Sequence, residues 1–166
     1  LQYDLLRNHV NPHFLFNSLS TLTHLIETDK NKALAFINHL SQTYRYIIDN
    51  KDNELIPLSK EMEFVNSYLA LQQIRYGGLI CIDNKIQAES HCMIIPVSVQ
   101  MLIENVFKHN IISRESMITI ELWINDGYIY VRNNINLKKN PTETASTGLS
   151  NIRLRYEYLS NRQSNI

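Results

Sequence analysis

His13 and Asn17 are two side chains whose types and spacing fit nucleophilic chemistry. They lie four residues apart in a segment with helical spacing, so both face one side of a helix. A neutral imidazole, with a pKa of about 6.5, is a competent nucleophile near neutral pH. The Asn17 amide can orient that ring or a group attached to it. Because a lone helical histidine is more often structural, the pair alone does not decide between the two roles.

A second polar group, further along the chain, fits phosphate and metal chemistry. Glu104, Asn105, Lys108 and His109 occupy a helical stretch preceded by Pro96. An Asn carbonyl oxygen is a hard ligand that suits a magnesium ion bridging phosphates. Lys108 and His109, one turn further on, can face phosphate oxygens. The same side chains also fit the solvated face of an amphipathic helix, so this alternative stays open.

Residues 1 to about 55 are expected to form a helical hairpin that positions His13. Its apolar residues recur at helical spacing, and Pro12 predicts a kink at a cost of about 3 kcal/mol. The break falls at residues 28–31, where Asp29 is a good N-cap. A two-helix hairpin has little core and would expose Leu15, Leu19, Leu22, Ile37 and Leu40. We therefore expect a homodimer that buries them in a four-helix bundle.

Residues 56–166 predict a mixed unit of helices and strands, which makes the fold class α+β. The strongest local signal is Asn125-Asp126-Gly127, which is typical of a tight β-hairpin. In chain order the predicted elements are a helix ending at residues 77–78, a strand at 79–86, a helix from Pro96 to about Asn110, strands at 117–124 and 128–133, and a helix at 148–160. The polar stretch 136–147, with Lys138 and Lys139, suits a lid near phosphates or a solvated linker.

The nine residues from Asn11 to Leu19, NPHFLFNSL, closely resemble the phosphoacceptor box of the LytS/YehU-like histidine kinases. Residues 102–109 resemble the N-box of the GHKL ATPases, the group to which those kinases belong. Further matching positions are Leu40-Ser41, Arg45-Tyr46, Tyr68, Gln72, Arg75-Tyr76, Pro96 and Gln100-Met101-Leu102. The resemblance therefore covers nearly the whole chain.

This resemblance implies the core of a sensor histidine kinase in a two-component system. His13 would take a phosphoryl group from ATP and pass it to the receiver domain of a response regulator. A GHKL-type, or Bergerat-type, α/β sandwich at residues 56–166 would bind ATP and Mg²⁺. Within it, Asn105 is implied as the magnesium ligand, Glu104 as a general base or polarising group, and Lys108 as a phosphate contact, while Asn17 would orient His13.

The chain departs from the family pattern at the nucleotide site. Asn133 and Ile135 stand where the family has Asp and Gly of an Asp-x-Gly motif, so the adenine would meet a neutral acceptor. The second glycine box keeps only Gly148, followed by Leu149, which can still offer backbone amides to a phosphate at a helix start. The family's last two strands do not follow, so the sandwich is expected to be incomplete.

These departures leave two other classes of protein open. The first is a catalytically weak pseudokinase, or dimeric interaction module, that docks a response regulator; Asn133, Ile135 and Ser146 favour it. The second is a GHKL chaperone or DNA-repair ATPase, which shares the nucleotide boxes but gives no reason for the His13 segment.

Charge and hydropathy limit which partners and which cellular location the chain can have. Lys plus Arg number 16 and Asp plus Glu number 16, so no net field draws the chain to nucleic acid. The two cysteines form no metal-binding or disulfide pattern. No stretch reaches the roughly 20 apolar residues of a membrane span. We expect a cytoplasmic domain of a bacterial inner-membrane protein, anchored only through a region upstream of Leu1.

Overall fold

A helical hairpin opens the described part of the chain. The computed structural model describes residues 12–87, 92–138 and 147–163. Helix α1 spans Pro12–Thr28 and helix α2 spans Lys30–Asn50. Asp29 lies between them, and its carboxylate accepts a hydrogen bond of 3.0 Å from the Lys32 amide, which holds the pKa of Asp29 below its usual value. The predicted hairpin and its N-cap are confirmed. The predicted kink involves residues outside the described ones.

A mixed unit of helices and strands follows the hairpin, which confirms the α+β class. Its elements are β1 Ile56–Pro57, α3 Leu58–Tyr76, β2 Ile80–Asn84, β3 Met93–Ile94, α4 Ser98–His109, β4 Ile118–Asn125, β5 Tyr128–Asn133 and α5 Thr147–Gln163. Asp126 and Gly127, both with positive φ (50° and 77°), form the turn between β4 and β5, as the sequence predicts.

Strands β2, β4 and β5 form a sheet in that order. β2 runs parallel to β4, with Ile80 opposite Ile118, and β5 runs antiparallel to β4. Side chains on one face of β4 are completely buried: Ile118, Ile120 and Leu122. This alternation of buried and exposed residues is what a sheet covered on one face requires. Strands β1 and β3 pair separately as a short two-stranded sheet.

Helix α3 joins the hairpin to the sheet. One apolar cluster includes Tyr46 of α2, Phe64 and Val65 of α3, and the buried residues of β4. A second cluster places Leu71 of α3 against Leu25 and Phe36 of the hairpin, with Leu22 and Leu40 at its margin. Helix α3 thus covers part of the hairpin face that the sequence left exposed, whereas Leu19 and Ile37 remain exposed. The division into units near residue 55 stays a prediction, and the first cluster has members on both sides of it.

The start of α4 differs from the sequence expectation. The helix begins at Ser98 rather than at Pro96, because Val97 adopts a left-handed conformation with a φ of 69°. A β-branched residue rarely adopts this conformation. The strand predicted at 79–86 is also shorter, since Leu79 lies in a 3₁₀ turn and β2 ends at Asn84. Strands β1 and β3 are too short to leave a periodic signal in the sequence.

Candidate functional site

A cleft of about 530 Å³ lies beside helix α4, the strand β5 and the start of α5. It brings together four residues that the resemblance assigns to nucleotide binding, namely Asn105, His109, Asn133 and Leu149, and also Ile135, where the chain departs from the family pattern. The remaining lining residues are mostly apolar: Leu102, Val106, Asn110, Ile129, Tyr130, Val131, Ile135 and Leu137. An apolar cleft with a few convergent polar groups is the usual form of a small-molecule site.

Asn105 contributes the polar group on the α4 side of this cleft. Its amide nitrogen is buried and has no hydrogen-bond partner among the described residues. Buried polar atoms are almost always paired, so an unpaired one at a cleft indicates hydrogen-bonding capacity that the chain itself does not use. His109, which ends α4, lines the cleft about one turn further along the helix.

Asn133 contributes the polar group on the strand side. It pairs with Ile120 in the β4–β5 ladder, which places it on the buried side of the sheet, facing the cleft. Its amide nitrogen donates a hydrogen bond of 2.6 Å to the Asn134 carbonyl. Because that bond uses the nitrogen, the side-chain oxygen is the natural acceptor for a donor in the cleft.

Gly148 and Leu149 lie in the first turn of α5, which spans Thr147–Gln163. Leu149 lines the cleft, and 47% of its surface is exposed. This apolar side chain is therefore available to contact a bound ring. The Gly148 amide belongs to a helix start, where N–H groups lack intrahelical partners. Ser146 and Lys139, which the sequence analysis also considered, lie outside the described residues.

Glu104 and Lys108 are not among the residues that line the cleft. The Glu104 carboxylate accepts a hydrogen bond of 2.9 Å from the Gln100 side chain. The Lys108 carbonyl accepts one of 2.9 Å from the Lys138 ammonium group, which caps the end of α4. Their predicted roles toward phosphate and proton remain predictions.

His13 is the second residue of α1, and Asn17 follows one turn later on the same face. The His13 side chain lies outside the described residues. Asn17 is half-buried and lines a small cavity of about 10 Å³ together with Gln72 and Arg75 of α3. Asn17 of α1 therefore faces α3, and its predicted contact with His13 stays a prediction.

A short path of side chains connects the start of α1 with α4. The ring of Phe14, the residue after His13, lies 5.7 Å from the ring of Tyr68 on α3, measured between centroids. Burial and the nearby Glu104 charge raise the pKa of Tyr68, while hydrogen bonds from Gln100 and Gln72 lower it in part. Tyr68 thus contacts the Phe14 ring of the His13 segment and also interacts with Gln100 and Glu104.

Two structural residues of this region were missed by the sequence analysis. Asn110 is buried; its amide nitrogen donates to the Val106 carbonyl, and its oxygen accepts a hydrogen bond of 2.8 Å from the Asn136 amide. Asn110 therefore connects the segment after β5 to the end of α4 through these hydrogen bonds. Glu61 is the other, and its only sequence signal is an acidic residue between Leu58 and Val65, inside the apolar stripe of a helix.

A magnesium ion is compatible with this set of residues. The described residues contain no group of three or more His, Cys, Asp or Glu side chains that could hold a metal by themselves. Magnesium usually keeps several waters and takes one or two protein oxygens together with substrate phosphates. The side-chain oxygen of Asn105, which lines the cleft, is a hard ligand of the kind that magnesium takes. None of the described helices has the length and apolar character needed to cross a membrane.

Comparison with known proteins identifies the class of protein. Residues 1–80 match the family model described as histidine kinase. This segment therefore belongs to the histidine kinase family, and it includes both His13 and Asn17.

The relatives narrow the class further. Sensor protein LytS of Staphylococcus haemolyticus is 39% identical over 105 residues, which are 63% of this chain and 18% of that protein. Sensor histidine kinase YpdA of Escherichia coli is 36% identical over 106 residues, 64% of this chain and 19% of that protein. LytS of Bacillus subtilis is 34% identical over 130 residues, 76% of this chain and 22% of that protein. The chain spans about a fifth of the length of these relatives. The predicted resemblance to LytS-like sensor histidine kinases is confirmed.

Proposed function

We propose that the chain is the phosphotransfer and nucleotide-binding core of a sensor histidine kinase in a two-component system. In this proposal it binds ATP with Mg²⁺ in the cleft beside α4, phosphorylates His13, and passes the phosphoryl group to an aspartate of a response regulator. The observation that carries the proposal is the meeting of Asn105, His109, Asn133 and Leu149 in one cleft. The family match of the His13 segment supports it independently.

Each cleft residue has a chemical task in this proposal. The Asn133 oxygen accepts a hydrogen bond from the adenine amino group, and Leu149 contacts the apolar ring. Asn105 holds the magnesium ion, which when bound neutralises the charge of the phosphates. His109 supplies a hydrogen-bonding group to the phosphate oxygens. Lys108, which does not line the cleft, is proposed to contact them from the same end of α4, and the Gly148 amide adds a donor at the start of α5.

The transfer step needs a nucleophile and a base. The unprotonated imidazole nitrogen of His13 attacks the γ-phosphorus, forming an N–P bond while the bond to the bridging oxygen of ADP breaks. The other ring nitrogen then gives up its proton, and Glu104 is the proposed acceptor because Tyr68 interacts both with it and with Phe14, the residue after His13. Catalysis rests mainly on positioning and charge neutralisation, as in other phosphoryl transfers.

The proposed partners follow from the same reasoning. Large apolar side chains of the hairpin remain exposed: Phe16, Leu19, Ile26, Leu34, Ile37 and Ile48. Such a surface on two adjacent helices suits a second copy of the hairpin, which makes a homodimer the proposed state. Sedimentation should show two chains. The proposed location is the cytoplasmic side of a bacterial inner membrane, with the anchor outside this chain.

A second candidate is a pseudokinase that dimerises and docks a response regulator but binds ATP poorly. Asn133 in place of an aspartate favours it, because a neutral acceptor binds the adenine less strongly than a charged one. Ile135 favours it too, since its side chain is 74% exposed at the cleft where the family has glycine.

Labelling with γ-phosphate-labelled ATP and magnesium separates the two candidates. A kinase gives acid-labile, base-stable label, and His13→Gln abolishes it. His24→Gln is the matched control, because His24 is exposed on the same helix. Label that persists in His13→Gln would contradict the assignment of the acceptor, whereas no label in the unchanged chain would favour the pseudokinase.

A further inference from the structure

Glu61 is a completely buried carboxylate at the place where α2, α3 and α4 meet. Its oxygens accept hydrogen bonds from the Tyr46 hydroxyl, from the Val97 amide at 2.9 Å and from the Val99 amide at 3.1 Å. We call these four residues the Glu61 junction. A carboxylate at this depth is retained only if it is well hydrogen-bonded, and three donors from two other elements meet that condition.

The junction determines where α4 begins. The first amides of a helix have no intrahelical partners, and no side chain next to the start of α4 caps them. The Glu61 side chain, which belongs to α3, takes that role by accepting hydrogen bonds from the Val97 and Val99 amides. It also secures Val97, whose left-handed backbone is unfavourable for a β-branched residue and persists only where its surroundings fix it.

The start of α4 in turn determines the place of Asn105. Ser98 is the first residue of the helix, and Asn105 lies seven residues, or about two turns, further along. Because a helix is a rigid rod over this length, a shift of its first turn moves the Asn105 side chain relative to the cleft.

Tyr46 connects the same carboxylate to the hairpin. Its ring stacks on Phe64 with centroids 4.0 Å apart and planes 7° apart, so the hydroxyl has little freedom to point elsewhere. Helix α2, which carries Tyr46, packs against α1, which carries His13. The Tyr46 hydroxyl therefore gives the hairpin a direct hydrogen bond to Glu61, in addition to the apolar packing of the hairpin on α3.

Helix α5 approaches the same turn from the other side. The Arg155 guanidinium group donates a hydrogen bond of 3.4 Å to the Pro96 carbonyl. Burial lowers the pKa of Arg155, while the nearby Tyr156, Glu61 and Tyr46 raise it in part. The turn before α4 is thus held from α3 and α5, and α5 also supplies Leu149 to the cleft.

We propose that Glu61 is a positioning residue that fixes the start of α4 and, through Tyr46, couples the position of Asn105 to that of the helical hairpin. This inference rests on the proposed function, in which Asn105 holds magnesium and His13 accepts the phosphoryl group. It extends that function by naming the contact through which a movement of the hairpin changes the geometry of the nucleotide cleft.

Tyr46→Phe tests the coupling because it removes only the hydroxyl and keeps the ring stacked on Phe64. Tyr44→Phe is the matched control: Tyr44 lies on the same helix, and its buried hydroxyl has no hydrogen-bond partner among the described residues. In Tyr46→Phe the rate of His13 labelling should fall about ten-fold while the dissociation constant for ATP changes less than about two-fold. Tyr44→Phe should change neither.

Amide hydrogen exchange tests the junction without any need for activity. The Val97 and Val99 amides should be protected in the unchanged chain and in Tyr44→Phe. They should exchange about three-fold faster in Tyr46→Phe and faster still in Glu61→Gln, whose amide nitrogen cannot accept a hydrogen bond.

The outcomes separate this inference from the proposed function. An unchanged chain that takes no label contradicts the proposed function, and the exchange data then still decide the junction. Equal protection of the two amides in the unchanged chain, Tyr46→Phe and Tyr44→Phe would overturn the coupling. So would a Tyr46→Phe chain that loses stability but keeps both its transfer rate and its affinity for ATP, since that is the result of a purely structural role.

Discussion

The Glu61 junction lies at the start of α4 and the candidate cleft lies beside the same helix, yet the two regions are built in opposite ways. At the junction a completely buried carboxylate has three donors from two other elements. At the cleft Asn105 keeps a buried amide nitrogen without a partner among the described residues, and Ile135 and Leu149 remain exposed.

The difference separates residues that stabilise the fold from residues that are available to a ligand. A satisfied buried network contributes to the free energy of folding, and removing one member leaves several others unpaired. An unsatisfied polar group at an open apolar cleft costs stability and is explained by what it binds. Mutations at the junction should therefore lower the free energy of unfolding, whereas mutations at the cleft should change the affinity for a ligand.

The largest effect on stability is expected from Glu61→Ala. The substitution leaves the Val97 and Val99 amides and the Tyr46 hydroxyl buried without an acceptor, so the free energy of unfolding should fall by about 3 kcal/mol. Urea denaturation measures it. Glu63→Ala, at an exposed position of the same helix, is the control and should change it by less than about 0.5 kcal/mol. Similar values for the two variants would remove the contrast between junction and cleft.

Asn105→Ala should have the opposite profile. Because the Asn105 amide nitrogen has no partner to lose, we expect the free energy of unfolding to change by less than about 0.5 kcal/mol. The affinity for ATP with magnesium should fall at least about ten-fold, as expected when a metal ligand is removed. Calorimetry and urea denaturation on the same preparation test both statements. A large loss of stability without a loss of affinity would make Asn105 a structural residue.

A smaller gain in affinity is expected from Asn133→Asp. A charged acceptor for the adenine amino group adds about 1 kcal/mol over a neutral one, or roughly five-fold in affinity. The gain should appear for ATP and be absent for GTP, because the guanine ring presents a carbonyl at that position. An unchanged or lower affinity for ATP would assign Asn133 to the structure of the strand end and strengthen the pseudokinase candidate.

The smallest effect is expected at the exposed ion pair of Arg132 and Glu121, whose nearest atoms are 2.6 Å apart. The hydrogen bond from Arg132 lowers the pKa of Glu121. Its stabilisation is therefore present above the unfolded-state pKa of the carboxyl group and is lost as the pH falls through the lowered value. Solvent screens this pair, so Arg132→Gln should leave stability at pH 7 nearly unchanged. A clear loss at pH 7 that disappears in acid would contradict the expected screening.

Local signals account for what the sequence predicted correctly. Asp29 and the turn at Asp126-Gly127 act within a few residues of themselves, so their types are enough to place a helix start and a hairpin. The junction is different, because Glu61 accepts hydrogen bonds from amides that lie 36 and 38 residues away in the chain. A pattern within a few residues of Glu61 cannot predict such contacts. For the same reason the left-handed Val97 and the start of α4 at Ser98 were not predicted.

The candidate cleft was predicted only through resemblance. Periodicity places Asn105 on a helix and Asn133 on a strand, but the parallel pairing of β2 with β4, which fixes the sheet beside α4, leaves no signal in either element. The meeting of Asn105, Asn133 and Leu149 is therefore a product of tertiary structure. The same holds for α3, whose packing against Leu22 and Leu40 covers part of the predicted dimer face.

The proposed transfer of a phosphoryl group from ATP to His13 is tested most directly by locating the phosphate after incubation with ATP and magnesium. Tryptic cleavage after Arg7 and Lys30 releases a peptide that contains three histidines, His9, His13 and His24. Mass spectrometry at neutral or mildly basic pH, which preserves phosphohistidine, should find one phosphate on this peptide, at His13, and much less when Asn105 is replaced by Ala. Phosphate at His9 or His24, or equal phosphate in the Asn105→Ala chain, would contradict the account.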